Sequence, residues 1–321
     1  MRKLISSTWT WLIIQTLFNV SISSFTYAEG LGEIIDIGKY RSRSVLPDPY
    51  EKPCPDTPVK LLHLEGNLYR HTIGSPAFYS GLVLITQEGA LIIDPARTCT
   101  ALKLKEMIDE KFHVPVKYVV YTHGHFDHIG GGQVFQNAGA QVVAQKNALE
   151  PIIGERLPTA LPNIVFDQEM ALNIGGESVL LHHAPPSHSD SMTFVYFPKY
   201  KALQCTDICG SDSLPYGELP DFYYDGWVEA LTWIQRLDIR WIDDGHHQLA
   251  TKEQQLLQLR YLQELHTQVL DLVRGGESWE QIYHDIKFKD VYKKWTDFES
   301  YHLSNTRGMY EWISLHRRGD W

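Results

Sequence analysis

The sequence predicts an α/β fold of two halves, each a run of strands followed by a helix, packed sheet to sheet with the helices outside. Three observations carry this. Short apolar runs separated by turn signals recur from Val59 to Ile93 and again over roughly 163–205. Each series leads into a segment of helical spacing, at 100–112 and 226–236. A tail from about Lys252 to Arg317 is helical apart from a break at Gly275-Gly276.

Taken in order, the chain opens on Arg2 and Lys3, then an apolar stretch with Trp9, Trp11, Leu12, Ile13, Ile14, Leu17 and Phe18, and small or polar residues up to Ala28. This is the pattern of a secretory signal over 1–28, cleaved after Ala28. A short membrane anchor is the other reading, but Ser, Thr, Gln and Asn make the stretch a poor permanent span. Residues 29–58 are rich in Pro, Gly and charge and predict an extended arm.

The apolar runs at 59–63, 67–71, 81–86 and 90–93, with turns at Glu65-Gly66 and Glu88-Gly89, predict successive antiparallel strands. Leu102, Leu104, Met107 and Ile108 follow at helical spacing. Val116 to Tyr121 predicts a buried strand, 130–138 starts a helix, and Gln141 to Ala144 is another strand. In the second series, Ser178 to His183 and Met192 to Phe197 are the clearest strands. Trp241 to Asp244 is the last strand and ends at Gly245-His246.

Composition narrows the function classes. A formal charge of -10 argues against a general nucleic-acid or anionic-membrane binder, because both need a basic face. Loss of the signal would remove Arg2 and Lys3 and no acidic group, leaving the chain more acidic still. Of the four cysteines, Cys54 and Cys99 lie in loop-like sequence and are candidates to pair in an oxidising compartment. Four unpaired thiols is the competing reading, since connectivity does not follow from sequence.

The densest chemical signal is His123-Gly124-His125-Phe126-Asp127-His128, placed where a buried strand ends. Three imidazoles and a carboxylate at this spacing can converge on one small volume, and both donor types suit zinc. A pair of zinc ions would share and activate a hydroxide at neutral pH. Gly130, Gly131 and Gly132 allow close backbone approach behind the run.

His123-x-His125-x-Asp127-His128, within Tyr121 to Gly131, resembles the signature of the metallo-β-lactamase superfamily, and the resemblance covers roughly residues 60–250. It implies an αββα sandwich with a metal site at one edge between the sheets. The implied divisions are a metallo-β-lactamase domain over 59–250 and a helical C-terminal extension over 251–321 packed on it. Further ligands follow position by position. His188, in Pro185-Pro186-Ser187-His188, matches the next histidine, with His182 and His183 as nearby competitors. Asp207 matches a bridging aspartate, with Thr206 where the family usually carries glycine and with Cys205 or Cys209 as a rival soft ligand. His246 after Gly245 matches the last ligand, with His247 as the alternative. Asp94, in Leu91-Ile92-Ile93-Asp94-Pro95, matches a position that supports the ligands.

The resemblance then implies that His123, His125 and His188 hold one zinc, that Asp127, His128 and His246 hold the second, and that Asp207 bridges them. A metal-bound hydroxide would attack an ester, lactone, thioester, amide or phosphate or sulfate ester, with Asp127 orienting it or accepting a proton. A mononuclear iron sulfur dioxygenase and a β-lactamase are the alternatives, and a decayed non-catalytic module is a third. The aromatic residues Tyr216, Tyr223 and Trp227, with Phe222 and Tyr224 among them, are candidates for a substrate pocket or for ordinary packing. The expected partner is a small molecule, with no nucleic acid and no stable membrane span after signal cleavage. The expected location is periplasmic or secreted.

Overall fold

The computed structural model describes residues 32–40, 43–48, 57–74 and 78–316. The expected signal over 1–28 lies outside the described residues, as does Cys54.

The strands are β1 (Glu33–Ile34), β2 (Val59–Glu65), β3 (Leu68–Ile73), β4 (Tyr79–Thr86), β5 (Gly89–Ile93), β6 (Val116–Val120), β7 (Gln141–Gln145), β8 (Ile164–Phe166), β9 (Glu169–Ile174), β10 (Glu177–His183), β11 (Thr193–Phe197), β12 (Ala202–Gln204) and β13 (Trp241–Asp243). The helices are α1 (Thr98–Phe112), α2 (Phe126–Ile129), α3 (Gly132–Asn137), α4 (Leu149–Gly154), α5 (Tyr224–Ile234), α6 (Lys252–Arg274), α7 (Trp279–Asp285) and α8 (Phe298–His316).

One sheet has eight strands in the order β1-β8-β7-β6-β5-β4-β3-β2, and the other has five in the order β13-β12-β11-β10-β9. β2 to β5 run antiparallel, as the turn signals predict, and β5 to β8 run parallel. In the second sheet only β12 and β13 are parallel.

The strands of the first sheet are apolar on both faces because both faces are covered. Leu82, Leu84, Leu91, Ile93 and Val120 meet Leu172, Val179, Leu181, Val195 and Phe197 between the sheets. Val83, Ile85, Ile92 and Val119 face outward and are covered by Ala101, Leu104 and Ile108 of α1 and Phe135 of α3. On the far side, Phe194, Leu203 and Ile242 pack against Trp227 and Leu231 of α5 and Leu262 and Leu265 of α6. The result is an αββα sandwich, with α8 packed on α6 in the outer layer of the second sheet and α7 packed against α6 and α8.

Three expectations need correction. The strand Ile164–Phe166 belongs to the first sheet, parallel to β7, because α4 supplies the crossover that brings the chain back in the same direction. The halves are therefore unequal. The buried stripe of α1 is Ala101, Leu104 and Ile108, while Leu102 is 55% exposed. Cys205 and Cys209 form a disulfide, so four unpaired thiols is wrong, and Cys99 is buried in α1.

The sheets are tied at one edge by a buried ion pair. Arg70 of β3 donates through Nε to Asp243 Oδ2 of β13 at 2.8 Å and through Nη2 to Ser80 Oγ and to the His247 carbonyl. Asp243 also accepts from Ser80 Oγ at 2.6 Å and from the Gly245 N–H at 3.0 Å. Burial alone would raise the Asp243 carboxyl, but Arg70 and these donors hold it below its ordinary value. Breaking such a pair strands a charge in the core. Arg70→Met should cost about 3–5 kcal/mol in urea denaturation. A depressed carboxyl contributes stability above its unfolded value and loses it as pH falls, so the wild type should lose this increment below about pH 4. Arg70→Met should lack that part of the acid limb. A variant of wild-type stability and acid profile would contradict the tie.

Candidate metal centre

The candidate residues come from five chain segments that end at one edge of the sandwich. Asp94 follows β5, His123 to His128 follow β6, His188 lies between β10 and β11, Asp207 follows β12 and His246 follows β13. Main-chain bonds lock the segments together, two of the following three across the sheets. Thr193 donates to the Thr122 carbonyl at 2.7 Å, Ser80 to the Gly245 carbonyl at 2.7 Å, and Asp207 to the Asp244 carbonyl at 3.0 Å. Gly132 is obligatory here, since a Cβ on it would lie 1.7 Å from Tyr121 Oη, beneath the histidine run.

The side chains converge in two groups. Ligand atoms of His123, His125, His188 and Asp207 lie within 4.8 Å of one another, and so do those of Asp127, His128 and His246. Asp207 faces both. Its Oδ2 is 3.3 Å from His123 Nε2, 3.0 Å from His128 Nε2 and 3.6 Å from His188 Nε2, while its Oδ1 is 2.7 Å from His246 Nε2. His188 Nε2 is also 3.0 Å from His125 Nδ1, and Asp127 Oδ2 is 3.5 Å from His128 Nε2. His123 and His128 are fully buried, and the others reach the surface.

Outer contacts set which nitrogen of each ring points inward. Thr122 Oγ donates to Asp94 Oδ2 at 2.6 Å, so it accepts from His123 Nδ1 at 3.0 Å. His246 Nδ1 donates to the Phe78 carbonyl at 2.6 Å. Both rings therefore have Nδ1 occupied by an outer acceptor and turn Nε2 toward Asp207. Asp94 is buried and accepts from Thr122 N, Thr122 Oγ and Thr206 Oγ. Thr206 thus extends the support network, and Gln204 Nε2 donates to its Oγ at 2.9 Å.

The electrostatics follow from burial and this crowding. Burial pushes His123 well below its ordinary pKa, helped by His125, and burial also lowers His188. Burial opposes charge on His128, but Asp207 and Asp127 outweigh it and raise it to about 10. His246 is raised against burial by Asp207. Asp207 itself is held far down, against burial, by His128 and His246. Burial raises Asp94 to about 6. The centre favours positive charge beside Asp207.

A metal ion fits this donor set. His123 Nε2 and His128 Nε2 are buried without a well-formed hydrogen bond, and the surrounding donors are imidazole nitrogen and carboxylate oxygen. The competitors lie elsewhere. His182 stacks on Trp233 with ring centroids 4.3 Å apart, and His183 contacts the Asp190 carbonyl. His247 turns to Asp244 at 2.9 Å. Cys205 and Cys209 are consumed by their disulfide, which removes the thiolate alternative to Asp207.

The three aromatic candidates separate. Trp227 is buried, donates to the Ile208 carbonyl at 3.0 Å and backs His188 with ring centroids 6.2 Å apart, so it faces the core. Tyr216 is 71% exposed and leans on Tyr301 of α8. Tyr223 is half exposed and its N–H donates to the Ser187 carbonyl at 2.8 Å, next to His188. One residue that sequence reasoning passes over reaches the cluster. Asp221 Oδ2 is 3.5 Å from His125 Nε2, and only the folded path of the loop brings it there.

Comparison with known proteins agrees with this architecture. Residues 78–260 match the family model described as the metallo-beta-lactamase superfamily. A "Metallo-beta-lactamase type 2" of Elizabethkingia meningoseptica is 27% identical over 203 residues, covering 60% of this chain and 80% of that protein. The "2,4-dinitroanisole O-demethylase subunit alpha" of a Nocardioides species is 28% identical over 134 residues, 41% of this chain and 40% of that protein. Among solved structures, a variant of the sec-alkyl sulfatase PisA1 superposes with a TM-score of 0.65 at 15% identity, covering 82% of this chain and 51% of that one. A metallo-beta-lactamase from Pontibacter korlensis gives 0.57 at 22% identity, covering 64% of this chain and 99% of that one. Both share the fold. With the family model spanning more than half of its length, the chain belongs to the metallo-β-lactamase superfamily and is a metal-dependent hydrolase.

Proposed function

We propose that this protein is an exported zinc hydrolase with a dinuclear centre. His123, His125 and His188 hold one ion, Asp127, His128 and His246 hold the other, and Asp207 lies between them. One observation carries this reading: two clusters of ligand atoms meet on the carboxylate of Asp207. A mononuclear centre would not need the second set.

Bound zinc supplies Lewis acidity and lowers the pKa of a coordinated water toward neutrality. The chain does the rest. Asp94 and Thr122 keep His123 in one tautomer, and Phe78 does the same for His246. Asp127, 41% exposed at its side chain, stands at the mouth and can orient a nucleophile or hold its proton. Tyr223 carries a half-exposed ring on the segment whose N–H holds the Ser187 carbonyl, next to His188.

The substrate is a small ester, lactone, thioester, amide, or phosphate or sulfate ester. The name of one relative, a metallo-beta-lactamase, falls within that range as a β-lactam amide. The same proposal includes a signal over 1–28, an arm over 29–58, a catalytic domain over 59–250, an extension over 251–321, and a periplasmic or secreted location. No helix among the described residues is long and apolar enough to cross a membrane.

Metal analysis of the purified protein should find two zinc ions per chain, and a panel of these substrate classes should give hydrolysis of at least one. A single iron with oxygen consumption on sulfur compounds would replace the reading with a dioxygenase. Against the substrate found, His125→Ala and Asp127→Ala should each lower kcat/KM by about 10²–10⁴-fold with the circular dichroism unchanged. Full activity in either variant would sink the assignment.

The charge balance around Asp207 gives a second expectation, for protein stripped of metal with a chelator. His128 sits above its unfolded value of about 6.5, so its contribution is present below that pH and is lost as pH rises through about 10. The Tm of the stripped wild type should therefore fall between neutral pH and about 10. In Asp207→Asn the main source of that shift is gone, and the fall should flatten. Equal slopes in the two proteins would contradict the pairing.

A further inference from the structure

We infer that the C-terminal helices are a working part of the metal centre: α6 and α8 hold the segment from Asp207 to Tyr223 and so aim Asp221 at the outer nitrogen of His125. This rests on the metal reading above and adds a positioning role that the ligand set does not contain.

The segment does not hold its own shape. It has no strand or helix, and Asp207, Asp212, Leu219 and Asp221 all have left-handed φ, between 55° and 62°. Such angles are uncommon for non-glycine residues, least so for Asp and most for Leu219, and a run of them is kept by its surroundings. The surroundings here are side chains of the two helices. On α6, Gln255 both donates to the Gly210 carbonyl at 2.7 Å and accepts from the Gly210 N–H at 3.0 Å. Gln258 donates to the Ile208 carbonyl at 3.1 Å, one residue past Asp207. On α8, Asn305 donates to the Pro215 carbonyl at 2.9 Å and the Gly217 carbonyl at 2.8 Å, and its own oxygen accepts from Tyr261 Oη of α6 at 3.0 Å. Gln255 and Asn305 are fully buried, where a side-chain amide lacking partners would be costly. Gly308 completes the fit, since a Cβ there would lie 2.1 Å from the Glu218 carbonyl oxygen.

Beyond this clamp the chain turns back over the ligands. Phe222 and Tyr223 rest on Trp312 of α8, with ring centroids 5.9 and 6.1 Å apart. The Tyr223 N–H holds the Ser187 carbonyl, next to His188. Asp221 then stands 3.5 Å from His125 Nε2, while His125 Nδ1 faces His188 Nε2 at 3.0 Å. A neutral imidazole carries one proton. A carboxylate beside Nε2 keeps that proton outside and leaves the Nδ1 lone pair directed at the cluster. α8 lies wholly beyond residue 260, where the family match ends, so Asn305, Gly308 and Trp312 act from outside the matched region, while Gln255 and Gln258 of α6 lie within it.

The test is zinc affinity by chelator competition in the full-length protein, with the cobalt-substituted spectrum as a second readout. Variants are Asp221→Asn, Asn305→Ala, Trp312→Ala and the double Asp221→Asn/Asn305→Ala. Asp221→Asn alters an exposed side chain, and it should weaken one of the two ions by about 10–100-fold and shift that ion's cobalt bands. Asn305→Ala and Trp312→Ala, the latter a milder change should the buried Asn305 prove essential for folding, should weaken the same ion. The double variant should be no weaker than Asp221→Asn alone, because both changes break one path. Unchanged affinity in Asp221→Asn, or additive losses in the double variant, would overturn the inference. Absence of bound metal in the wild type would instead overturn the metal reading on which it rests.

Discussion

The largely enclosed carboxylate of Asp207, 11% exposed at its side chain, is the constraint around which the rest is arranged. It lies among four imidazoles at one edge of the sandwich, within 2.7–3.6 Å of each facing nitrogen. A charge taken out of water must be compensated on the spot. His128 and His246 answer it when protonated, and a divalent cation answers it better, because one ion can engage several of these donors at once. The crowding of imidazole nitrogens and carboxylate oxygens around Asp207 gives the place a donor set that suits a metal ion.

The fold's task is to bring together segments far apart in sequence without slack. It does so by placing the ends of β5, β6, β12 and β13 on one edge and stitching them across the two sheets. Arg70 with Asp243 fixes the segment leading to His246, and the network of Asp94, Thr122, Thr206 and Gln204 fixes the segments leading to His123 and Asp207. Gln204 continues the stitch by accepting from the Leu82 N–H at 2.9 Å in the other sheet. Ligand geometry and sheet packing are therefore not separable properties here. A change in either moves the other.

Much of this was legible in the chain. Period-two and unbroken apolar runs marked most strands, because burial on one or both faces writes itself into the alternation. The histidine run announced its chemistry through density alone, and the order of His188, Asp207 and His246 followed from the resemblance. What was not legible depends on contacts across the fold. β8 carries no mark that assigns it to the first sheet, since three residues of Ile164–Phe166 pair equally well anywhere. Thr206 reads as a departure from glycine, and its hydroxyl bond to Asp94 exists only once two sheets meet. Trp227 looks like a pocket wall by composition, while packing against the core decides its direction. Asp221 and Asn305, 84 positions of chain apart by the numbering of the sequence, have no local signature linking them.

The central claim is that two metal ions share Asp207. Anomalous diffraction from crystals of the zinc-loaded protein, collected at the zinc edge, tests it most directly. Two peaks about 3.5–4 Å apart are expected, one against His123, His125 and His188 and one against Asp127, His128 and His246, with the Asp207 carboxylate between them. A single peak, or peaks that leave Asp207 uncoordinated, would contradict it.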